Sequence, residues 1–362
     1  MRIAVDAREL CGKPTGVGRY LAELLREWSD GPAARHEWVL YAHEPPVVPP
    51  AFAGVVELLP GAGGTRWEQW DLGRRLRARR PDVLFAPAYT APLVAPCPVA
   101  LTIHDVSFFA LPDEFRLREG MRRRLLTRLS ARRARVVLTD SAFSRGEIVR
   151  RLGTPAARVR AIPLGMHVPA PPPARGREPM VLFVGSILPR RHVDLLVDVF
   201  VSRVLPAVPD ARLDIVGANR LPPHLRVDRG LTDAPPGVRE RVRFRDYVDD
   251  TTLKDLYARA SVFAFPSAYE GFGLTPLEAL AAGVPPVVFD TGIAREIYGD
   301  AAWYVPYPDG SEEGLAQALI ALLTDEAARA RPLAAAAGVL GRYRWADTAA
   351  RTLQAIEEAA RA

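Results

Sequence analysis

Short apolar runs alternate along this chain with longer segments whose apolar residues recur at helical spacing. In the first half, the runs predict strands at residues 2–7, 37–41, 55–58, 82–86, 99–103 and 135–139. The pattern restarts after a proline-rich stretch, with predicted strands at residues 180–184, 211–216, 241–244, 261–265, 284–289 and 302–305. Strands that alternate with helices are typical of a parallel sheet with helices on both faces. The sequence therefore predicts an α/β protein with two doubly wound domains in tandem.

A proline-rich stretch separates the two halves of this pattern. It runs from residue 166 to residue 179 and has Pro171-Pro172-Pro173 at its centre, a composition typical of linkers. A chain of 362 residues is also too long for one ordinary core. We expect a first domain at residues 1–168, a linker at 169–179 and a second domain at 180–362, whose last helix packs back on the first domain.

Composition is that of a large enzyme able to bury two cores, with 49% hydrophobic and 25% charged residues. The only two cysteines, Cys11 and Cys97, form no motif and indicate a reducing compartment. The first residues read as a strand and not as a signal peptide, and no apolar run approaches the roughly 18 residues of a membrane span. We therefore expect a cytoplasmic protein.

The segment from Tyr269 to Glu278 carries the clearest candidate chemistry. A Gly271-Phe272-Gly273 turn follows the predicted strand at 261–265 and precedes a predicted helix at 276–282, with Glu270 and Glu278 on either side. Glycines at such a junction let the backbone N–H groups of a helix N-terminus approach a phosphate. The two carboxylates would then bind hydroxyls on either side of a diphosphate, which is the layout of a nucleotide-sugar. The alternative is that Thr275 to Glu278 is only a capping box with proline at N1.

Three other positions have the chemistry of a ligand site. Gly16-Val17-Gly18 follows the first strand, where either a tight turn or a binding loop is consistent with the sequence. His104 ends the strand at 99–103, at the rim of the sheet, where a histidine is either structural or functional. Arg190 and Arg191 follow the first strand of the second half, and arginine forks bind phosphate oxygens in pairs.

The order and spacing of these segments and several others identify a family resemblance. The chain resembles the retaining glycosyltransferases of family 4, with their GT-B fold of two Rossmann-like domains facing across a cleft, and within them a mannosyltransferase-like bacterial branch. The segments that carry it are Thr15-Gly16-Val17-Gly18-Arg19-Tyr20, Trp67-Glu68-Gln69, residues 102–108, Ser141-Ala142-Phe143-Ser144-Arg145, residues 184–191, residues 269–278 and Gly299-Asp300-Ala301-Ala302.

This resemblance implies a hexosyl transfer, first of all mannosyl, from a nucleoside diphosphate sugar to a hydroxyl of a sugar or lipid-linked acceptor. It implies retention of anomeric configuration, and catalytic positions at His104, beside the transferred sugar, and at Glu270, on the sugar hydroxyls. The donor-binding positions would be Gly16, Gly18, Arg190, Arg191, Gly271, Phe272, Gly273, Leu274 and Glu278. Arg145 would lie on the acceptor side. From the residues themselves, Ser144 and Glu147 form a capping box, so we expect Ser144 to cap a helix.

Two departures from the family pattern concern the phosphate contacts. Relatives usually have Arg-Lys-Asn where this chain has Arg190-Arg191-His192, so Arg191 takes the position of the phosphate-binding lysine. Many relatives also place an arginine where Ser186 stands. No Asp-x-Asp motif is present in the sequence, so we expect no metal and no cofactor besides the donor substrate.

The segment from Arg116 to Arg135 is densely basic and has leucines at helical spacing. It is either a solvated amphipathic helix or a peripheral membrane contact on the inner face of the membrane. Nucleic-acid binding is not expected, because no recognised motif accompanies the charge. Two other classes of function remain open from the sequence: a sugar-nucleotide epimerase on the same fold, and a non-catalytic scaffold that binds nucleotide-sugars.

Overall fold

The chain forms two compact units. The structure, a computed structural model, describes residues 1–12, 15–168, 176–222, 224–232 and 234–361. The first unit comprises Met1–Gly165 together with Tyr343–Ala362, and the second comprises Met166–Arg342. Residues 169–175 of the predicted linker 169–179, including its three central prolines, lie outside the described residues.

The first unit is built on a seven-stranded parallel sheet. Its strands are β1 (Arg2–Asp6), β2 (Glu37–Ala42), β3 (Val55–Leu58), β4 (Val83–Ala86), β5 (Val99–Thr102), β6 (Val136–Thr139) and β7 (Val159–Ala161). They lie in the order β3-β2-β1-β4-β5-β6-β7. The helices between them are α1 (Gly16–Glu27), α2 (Gly73–Arg79), α3 (Ser107–Ala110), α4 (Leu117–Arg133) and α5 (Ala142–Leu152), and a π-helical segment (Trp67–Leu72) precedes α2.

The second unit repeats this plan with six parallel strands. They are β8 (Met180–Val184), β9 (Arg212–Val216), β10 (Val242–Arg245), β11 (Val262–Phe265), β12 (Pro286–Phe289) and β13 (Trp303–Val305), in the order β10-β9-β8-β11-β12-β13. The helices are α6 (Val193–Val199), α7 (Leu205–Ala207), α8 (Pro236–Arg239), α9 (Asp250–Arg259), α10 (Leu274–Ala281), α11 (Gly292–Tyr298), α12 (Ser311–Thr324), α13 (Glu326–Ala334) and α14 (Ala336–Leu340).

The last helix, α15 (Trp345–Arg361), belongs to the first unit. It packs against α1 and against strands β4, β5 and β6. The indole N–H of Trp28 on α1 donates to the Ala349 carbonyl at 3.1 Å, and the Thr348 hydroxyl donates to the Pro163 carbonyl at 2.8 Å. These two hydrogen bonds join the last helix to the rest of the first unit.

Both sheets reverse their strand order at one point. In the first sheet the reversal is between β1 and β4, and in the second it is between β8 and β11. At such a switch point the loops leave the carboxyl ends of neighbouring strands in opposite directions and open a crevice for a ligand. Both α/β sheets were predicted from sequence, and the parallel order is confirmed.

Three predicted elements differ from the structure. Strand β7 was missed because its three residues include Arg160 and only Val159 is buried. The capping box at Thr275 is wrong, because α10 already begins at Leu274 after Gly273, whose φ of +91° turns the chain one step earlier. The cap of α5 is Ser141 and not Ser144, since the Ser141 hydroxyl accepts the Ser144 N–H at 3.0 Å.

The helices of the described residues can be compared with the length and hydropathy of a membrane span. Among the residues that the structure describes, no helix is long and apolar enough to cross a membrane.

Candidate functional site

Two glycines shape the carboxyl edge of the second sheet. Gly185 ends β8 with a φ of +145°, and a Cβ there would lie 2.7 Å from a guanidinium nitrogen of Arg191. Gly217 ends β9 with a φ of +148°, and a Cβ there would lie 2.0 Å from the Gly185 carbonyl oxygen. Only glycine combines this backbone conformation with such close approach. The two strand ends therefore lie close enough for the Arg191 side chain to fold back over β8.

Arg191 and Glu270 form a two-pronged ion pair at the switch point. The Arg191 Nε and one terminal nitrogen donate to the two Glu270 carboxylate oxygens at 2.7 Å and 3.2 Å. Both side chains are about six-sevenths buried, with exposed fractions of 16% and 14%. The Arg191 guanidinium also lies 5.1 Å from the ring centre of Phe265 on β11 and donates to the Ser186 carbonyl at 3.1 Å.

The two loops that carry this pair are also joined through the backbone. The Ala268 N–H, two residues before Glu270, donates to the Arg190 carbonyl at 2.8 Å. The Ser267 hydroxyl donates to the Glu270 carboxylate at 2.9 Å. Arg191 and Glu270, the residues predicted to bind phosphate and sugar, therefore hold each other in place, although they lie 79 positions apart in the chain.

The charges of this cluster determine the ionisation of Glu270. Burial alone would raise the pKa of the Glu270 carboxyl, but the positive charges of Arg191 and Arg190 and the hydrogen bonds from Arg191 and Ser267 lower it below its ordinary value. Glu270 is consequently a carboxylate at neutral pH. It can accept hydrogen bonds from hydroxyls and cannot act as a general acid there.

The turn after Glu270 presents the first amides of α10. Gly271 and Phe272 are buried, and the Tyr298 hydroxyl donates to the Gly273 carbonyl at 2.9 Å. A Cβ on Gly273 would lie 2.2 Å from that hydroxyl oxygen, so this position of the Tyr298 hydroxyl requires glycine at 273. The N-cap residue of α10 is Gly273, which has no side chain to cap the helix. The first N–H groups of α10, beginning at Leu274, therefore remain suited to an anion.

Glu278 lies in the second turn of α10. It is half-buried, and the Tyr257 hydroxyl of α9 reaches its carboxylate at 3.5 Å. Since α10 starts at Leu274, Glu278 lies too far along the helix to cap its N-terminus. The structural explanation of this glutamate as helix punctuation is thus removed.

His104 follows β5 in the first unit, and its ring points into the protein. Its Nδ1 lies 2.9 Å from an Asp140 carboxylate oxygen, and its Nε2 lies 3.0 Å from the Pro87 carbonyl oxygen. The rings of Tyr20 and Tyr89 pack edge-on against the imidazole, with centroids at 4.9 Å and 5.7 Å. The residue is 8% exposed. Its imidazole is therefore held between the ends of β4, β5 and β6.

The partners of the two ring nitrogens indicate a protonated imidazole. A carbonyl only accepts, so Nε2 must carry a hydrogen, and a carboxylate at Nδ1 favours a second one. Burial opposes the charged ring, but Asp140 outweighs it and raises the pKa of His104 above its ordinary 6.5. A ring with both N–H groups engaged has no lone pair for a substrate proton. The backbone carbonyl of His104 accepts a hydrogen bond from the Ser144 hydroxyl at 3.4 Å.

Gly16 and Gly18 lie in the first turn of α1 and not in a loop, which corrects the predicted glycine turn. The Thr15 hydroxyl caps this helix by accepting the Gly18 N–H at 2.9 Å. A Cβ on Gly18 would lie 2.3 Å from the Glu9 carbonyl oxygen, whereas one on Gly16 would meet nothing within 4 Å. Close packing against Glu9 therefore requires glycine at position 18. At position 16 there is room for a side chain at the N-terminus of the helix.

Arg145, predicted on the acceptor side, is used for anchoring. Its guanidinium donates to the carbonyls of Val159 at 2.9 Å and Ala156 at 3.0 Å, which ties α5 to β7. Its role towards an acceptor stays a prediction.

Most of the basic segment from Arg116 to Arg135 forms α4, and three of the large apolar residues of this helix face outwards. Leu117, Met121 and Leu125 are 71%, 58% and 59% exposed. They recur every four residues and so share one side of the helix. The buried side consists of small residues, namely Gly120, Thr127, Ser130 and Ala131. Leu126 and Leu129 are half-buried, so α4 differs from an ordinary surface helix in that only some of its large apolar residues face the core.

The comparisons with known proteins agree with this architecture. The family described as Glycosyltransferase Family 4 matches residues 14–168, and the family described as Glycosyl transferases group 1 matches residues 178–325. The O-antigen chain mannosyltransferase B of Escherichia coli is 32% identical over 281 residues, which cover 71% of this chain and 69% of that protein. The chain belongs to glycosyltransferase family 4.

Further relatives of this family 4 glycosyltransferase are matched over shorter stretches. The phosphatidyl-myo-inositol mannosyltransferase of Mycobacterium leprae is 33% identical over 182 residues, half of this chain and 46% of that protein. Among solved structures, Anabaena HepE in complex with UDP-glucose aligns with 99% of this chain and all of that one, at a TM-score of 0.73 and 19% identity. The fold is thus GT-B, and the protein is a glycosyltransferase that uses a sugar donor.

Sequence reasoning missed Asp140 and Ser267. Each directly or almost directly follows a strand, β6 for Asp140 and β11 for Ser267. Because the ends of parallel strands meet at one edge of a sheet, their positions after the strands were the available signal.

Proposed function

We propose that this glycosyltransferase is a retaining mannosyltransferase that transfers a mannosyl unit from a nucleoside diphosphate sugar to a hydroxyl of a glycan or lipid-linked acceptor. The observation that carries the donor site is the Arg191–Glu270 pair at the switch point, beside the N-terminus of α10, whose N-cap residue is Gly273. The mannosyl unit is supported by the two mannosyltransferase relatives.

In this proposal, the positive groups of the second unit bind the diphosphate. Arg191, Arg190 and the amides from Gly271 to Leu274 would face its oxygens. Glu278 would accept the ribose hydroxyls, and Glu270 would accept hydroxyls of the sugar. The charges fit these contacts, since Glu270 is ionised and the α10 N-terminus, with glycine as its N-cap residue, favours an anion.

The rate of transfer would depend on stabilising the charge that develops on the departing diphosphate. Preorganised N–H groups and guanidinium groups do this without reorganising when the glycosidic bond breaks. Retention is expected from departure and attack on the same face of the sugar, with the leaving phosphate as base. His104 would contribute through its backbone and by holding the β5 end rigid, because both of its ring nitrogens are engaged.

We also propose that the transfer needs no divalent cation. Arginine and helix amides fill the role that Mg²⁺ or Mn²⁺ has on a diphosphate elsewhere. The sequence carries no Asp-x-Asp pair that would hold such a cation beside the donor.

The exposed apolar residues of α4 support a peripheral contact with an anionic membrane. Leu117, Met121 and Leu125 supply apolar contact, and the many arginines of α4 supply charge complementary to acidic lipids. Arg122 of α4 bonds to Thr65, just before the helical segment that carries Trp70, which is 70% exposed. Tryptophan is enriched at membrane interfaces.

Donor identity is tested by thermal stabilisation followed by turnover. Nucleoside diphosphate mannose, glucose and galactose are compared at equal concentration, and the best ligand at about 100 times its Kd stabilises the native state by about 2.7 kcal/mol. We expect a mannose donor to give the largest shift and to be consumed only when acceptor is present. Rapid consumption of donor without acceptor, yielding an isomeric sugar, would contradict a transferase.

Membrane contact is tested with vesicles of phosphatidylcholine with and without phosphatidylglycerol. The full chain should sediment with the anionic vesicles, and a variant with Leu117→Ser, Met121→Ser and Leu125→Ser should remain in the supernatant. Val47→Ser, at a position 74% exposed, is the matched control and should sediment normally. Equal sedimentation of the triple variant would refute the role of α4.

A further inference from the structure

A cysteine, a histidine and a glutamate meet at the carboxyl edge of the first sheet. Cys11 follows β1 after a short helical turn, and His43 and Glu44 directly follow β2. Strands β1 and β2 are paired in parallel, with Asp6 opposite Tyr41, so their following segments leave the sheet side by side. None of these three residues belongs to the donor site of the second unit.

The three side chains bring their donor atoms close together. The Cys11 sulfur, an imidazole nitrogen of His43 and a carboxylate oxygen of Glu44 all lie within 4.8 Å of one another. The His43 Nε2 and the Glu44 Oε1 are 3.9 Å apart. Around a tetrahedral Zn²⁺, with bonds of roughly 2.0–2.3 Å, neighbouring donors are about 3.5 Å apart. The donor atoms must therefore approach one another by at most about 1.3 Å to reach this spacing.

The surroundings hold the imidazole in place. A Cβ on Gly63 would lie 2.6 Å from the His43 Nε2, so glycine lets the backbone pack against the ring. The ring of Trp67 lies edge-on at 6.1 Å. The His43 Nδ1 is buried and has no hydrogen-bond partner among the described residues. Packing positions the ring, and Nε2 is the ring nitrogen that lies 3.9 Å from the Glu44 carboxylate.

Charge and accessibility suit a divalent cation. A thiolate and a carboxylate together neutralise a 2+ ion, with a neutral imidazole as third ligand. Glu44 is 53% exposed and His43 is 19% exposed, so an ion can enter from solvent. A thiol loses its proton when it becomes a metal ligand, so the ion displaces the Cys11 proton.

We propose that Cys11, His43 and Glu44 bind one Zn²⁺, with a water molecule in the fourth position. Binding releases one proton from the Cys11 thiol and forms one bond each to sulfur, nitrogen and oxygen. The ion joins the β1–α1 connection to the end of β2, so its effect is to stabilise the first unit. Thiolate and imidazole favour zinc over Mg²⁺ or Ca²⁺, which take oxygen ligands.

Cobalt spectroscopy on the full chain tests this site directly. Co²⁺ replaces Zn²⁺ in such sites, and its bond to a thiolate gives an intense near-ultraviolet charge-transfer band together with visible bands of a four-coordinate ion. We expect one equivalent of Co²⁺ to develop both bands in the metal-free protein and one equivalent of Zn²⁺ to abolish them.

The chain offers a matched control, because Cys97 is the only other cysteine and is buried away from this cluster. Cys97→Ser should keep the full spectrum, and Cys11→Ser should lose the charge-transfer band. His43→Gln should weaken Zn²⁺ binding at least about 100-fold, more than the loss of an outer-shell partner does. Thermal melts of each metal-free variant confirm that it is folded, and the wild type should gain melting temperature with Zn²⁺ as ln(1 + [Zn²⁺]/Kd).

Two results would overturn the proposal. One is a wild-type protein that shows no thiolate-to-cobalt band at micromolar Co²⁺. The other is a band that survives Cys11→Ser and disappears in Cys97→Ser. Transfer activity does not enter this test, so its outcome is separate from that of the proposed function.

Discussion

Glu270→Gln is the substitution that separates sugar binding from phosphate binding most sharply. Glutamine keeps the size of the side chain and an oxygen that can accept from Arg191 and Ser267, but it removes the negative charge. Alanine would instead leave the buried Arg191 guanidinium without its carboxylate, at a cost of about 3–5 kcal/mol of stability. The glutamine variant therefore tests function with less risk of unfolding.

The expected magnitudes follow from the charges at this pair. A hydrogen bond from a sugar hydroxyl to a carboxylate is worth about 1.5–3 kcal/mol, which corresponds to a fall in kcat/KM of roughly 10- to 150-fold. Binding of the free nucleoside diphosphate should not weaken, because it has no sugar to contact Glu270. It should tighten, since the neutral glutamine no longer cancels the charge that Arg191 presents to the phosphates.

Steady-state turnover with the nucleotide-sugar and calorimetric titration with the nucleoside diphosphate measure the two effects. Glu178→Gln is the matched control, because Glu178 also receives a two-pronged contact from an arginine, Arg259, with both distances 2.8 Å. Glu178 precedes β8 and so lies at the opposite edge of the same sheet. The control should leave both measurements unchanged. Equal losses of nucleotide affinity and kcat/KM in Glu270→Gln would refute the assignment of Glu270 to the sugar.

Three further predictions use other parts of the two units. Glu278→Ala should weaken nucleoside diphosphate binding by roughly 10- to 150-fold with little change in melting temperature, and a lower melting temperature at unchanged affinity would restore the structural role of Glu278. Excess EDTA should leave transfer intact, and a loss of turnover that Mg²⁺ or Mn²⁺ restores would show a metal-dependent step. In Asp140→Asn, NMR should find that the pKa of His104 is lower than in the wild type, because burial is then opposed only by the Pro87 carbonyl and Asp105. The stabilisation that protonated His104 gives the wild type should be fully present below pH 6.5 and fade as pH rises through the folded pKa; an unchanged His104 titration would contradict the pairing.

Most of the fold could be predicted because buried parallel strands have a strong signal. Strand β8 was predicted with its observed bounds, since all five of its residues are buried and apolar. Strand β7 was not, since a short edge strand with an arginine in the middle does not stand out from a loop. The start of α10 was misplaced because its true N-cap, Gly273, has no side chain to recognise, whereas Thr275 resembles a cap.

The candidate site could be predicted only as a set of separate segments. The position of Arg191 after β8 and of Glu270 after β11 was readable from the sequence, because each follows an apolar run. That they bind each other was not, since their contact depends on the strand order of the sheet and on the glycines at 185 and 217. The inward orientation of His104 was hidden for the same reason, because its partners Asp140 and Pro87 come from neighbouring strand ends.

The Arg191–Glu270 pair has a consequence for how a site of this kind can work without a metal. A free arginine in a crevice must be desolvated when it binds a phosphate, and that cost reduces the affinity gained. Here the guanidinium is already largely removed from water and already oriented, because Glu270, Ser186 and Phe265 hold it. If the proposed donor contacts are correct, a nucleotide-sugar exchanges one set of partners for another: its phosphate takes up the donors of Arg191, and its sugar hydroxyls take up the acceptors of Glu270. Neither charge is left buried and unpaired at the end. An arginine makes this exchange more specific than a lysine would, since its planar fork fits both a carboxylate and a phosphate in two-pronged fashion.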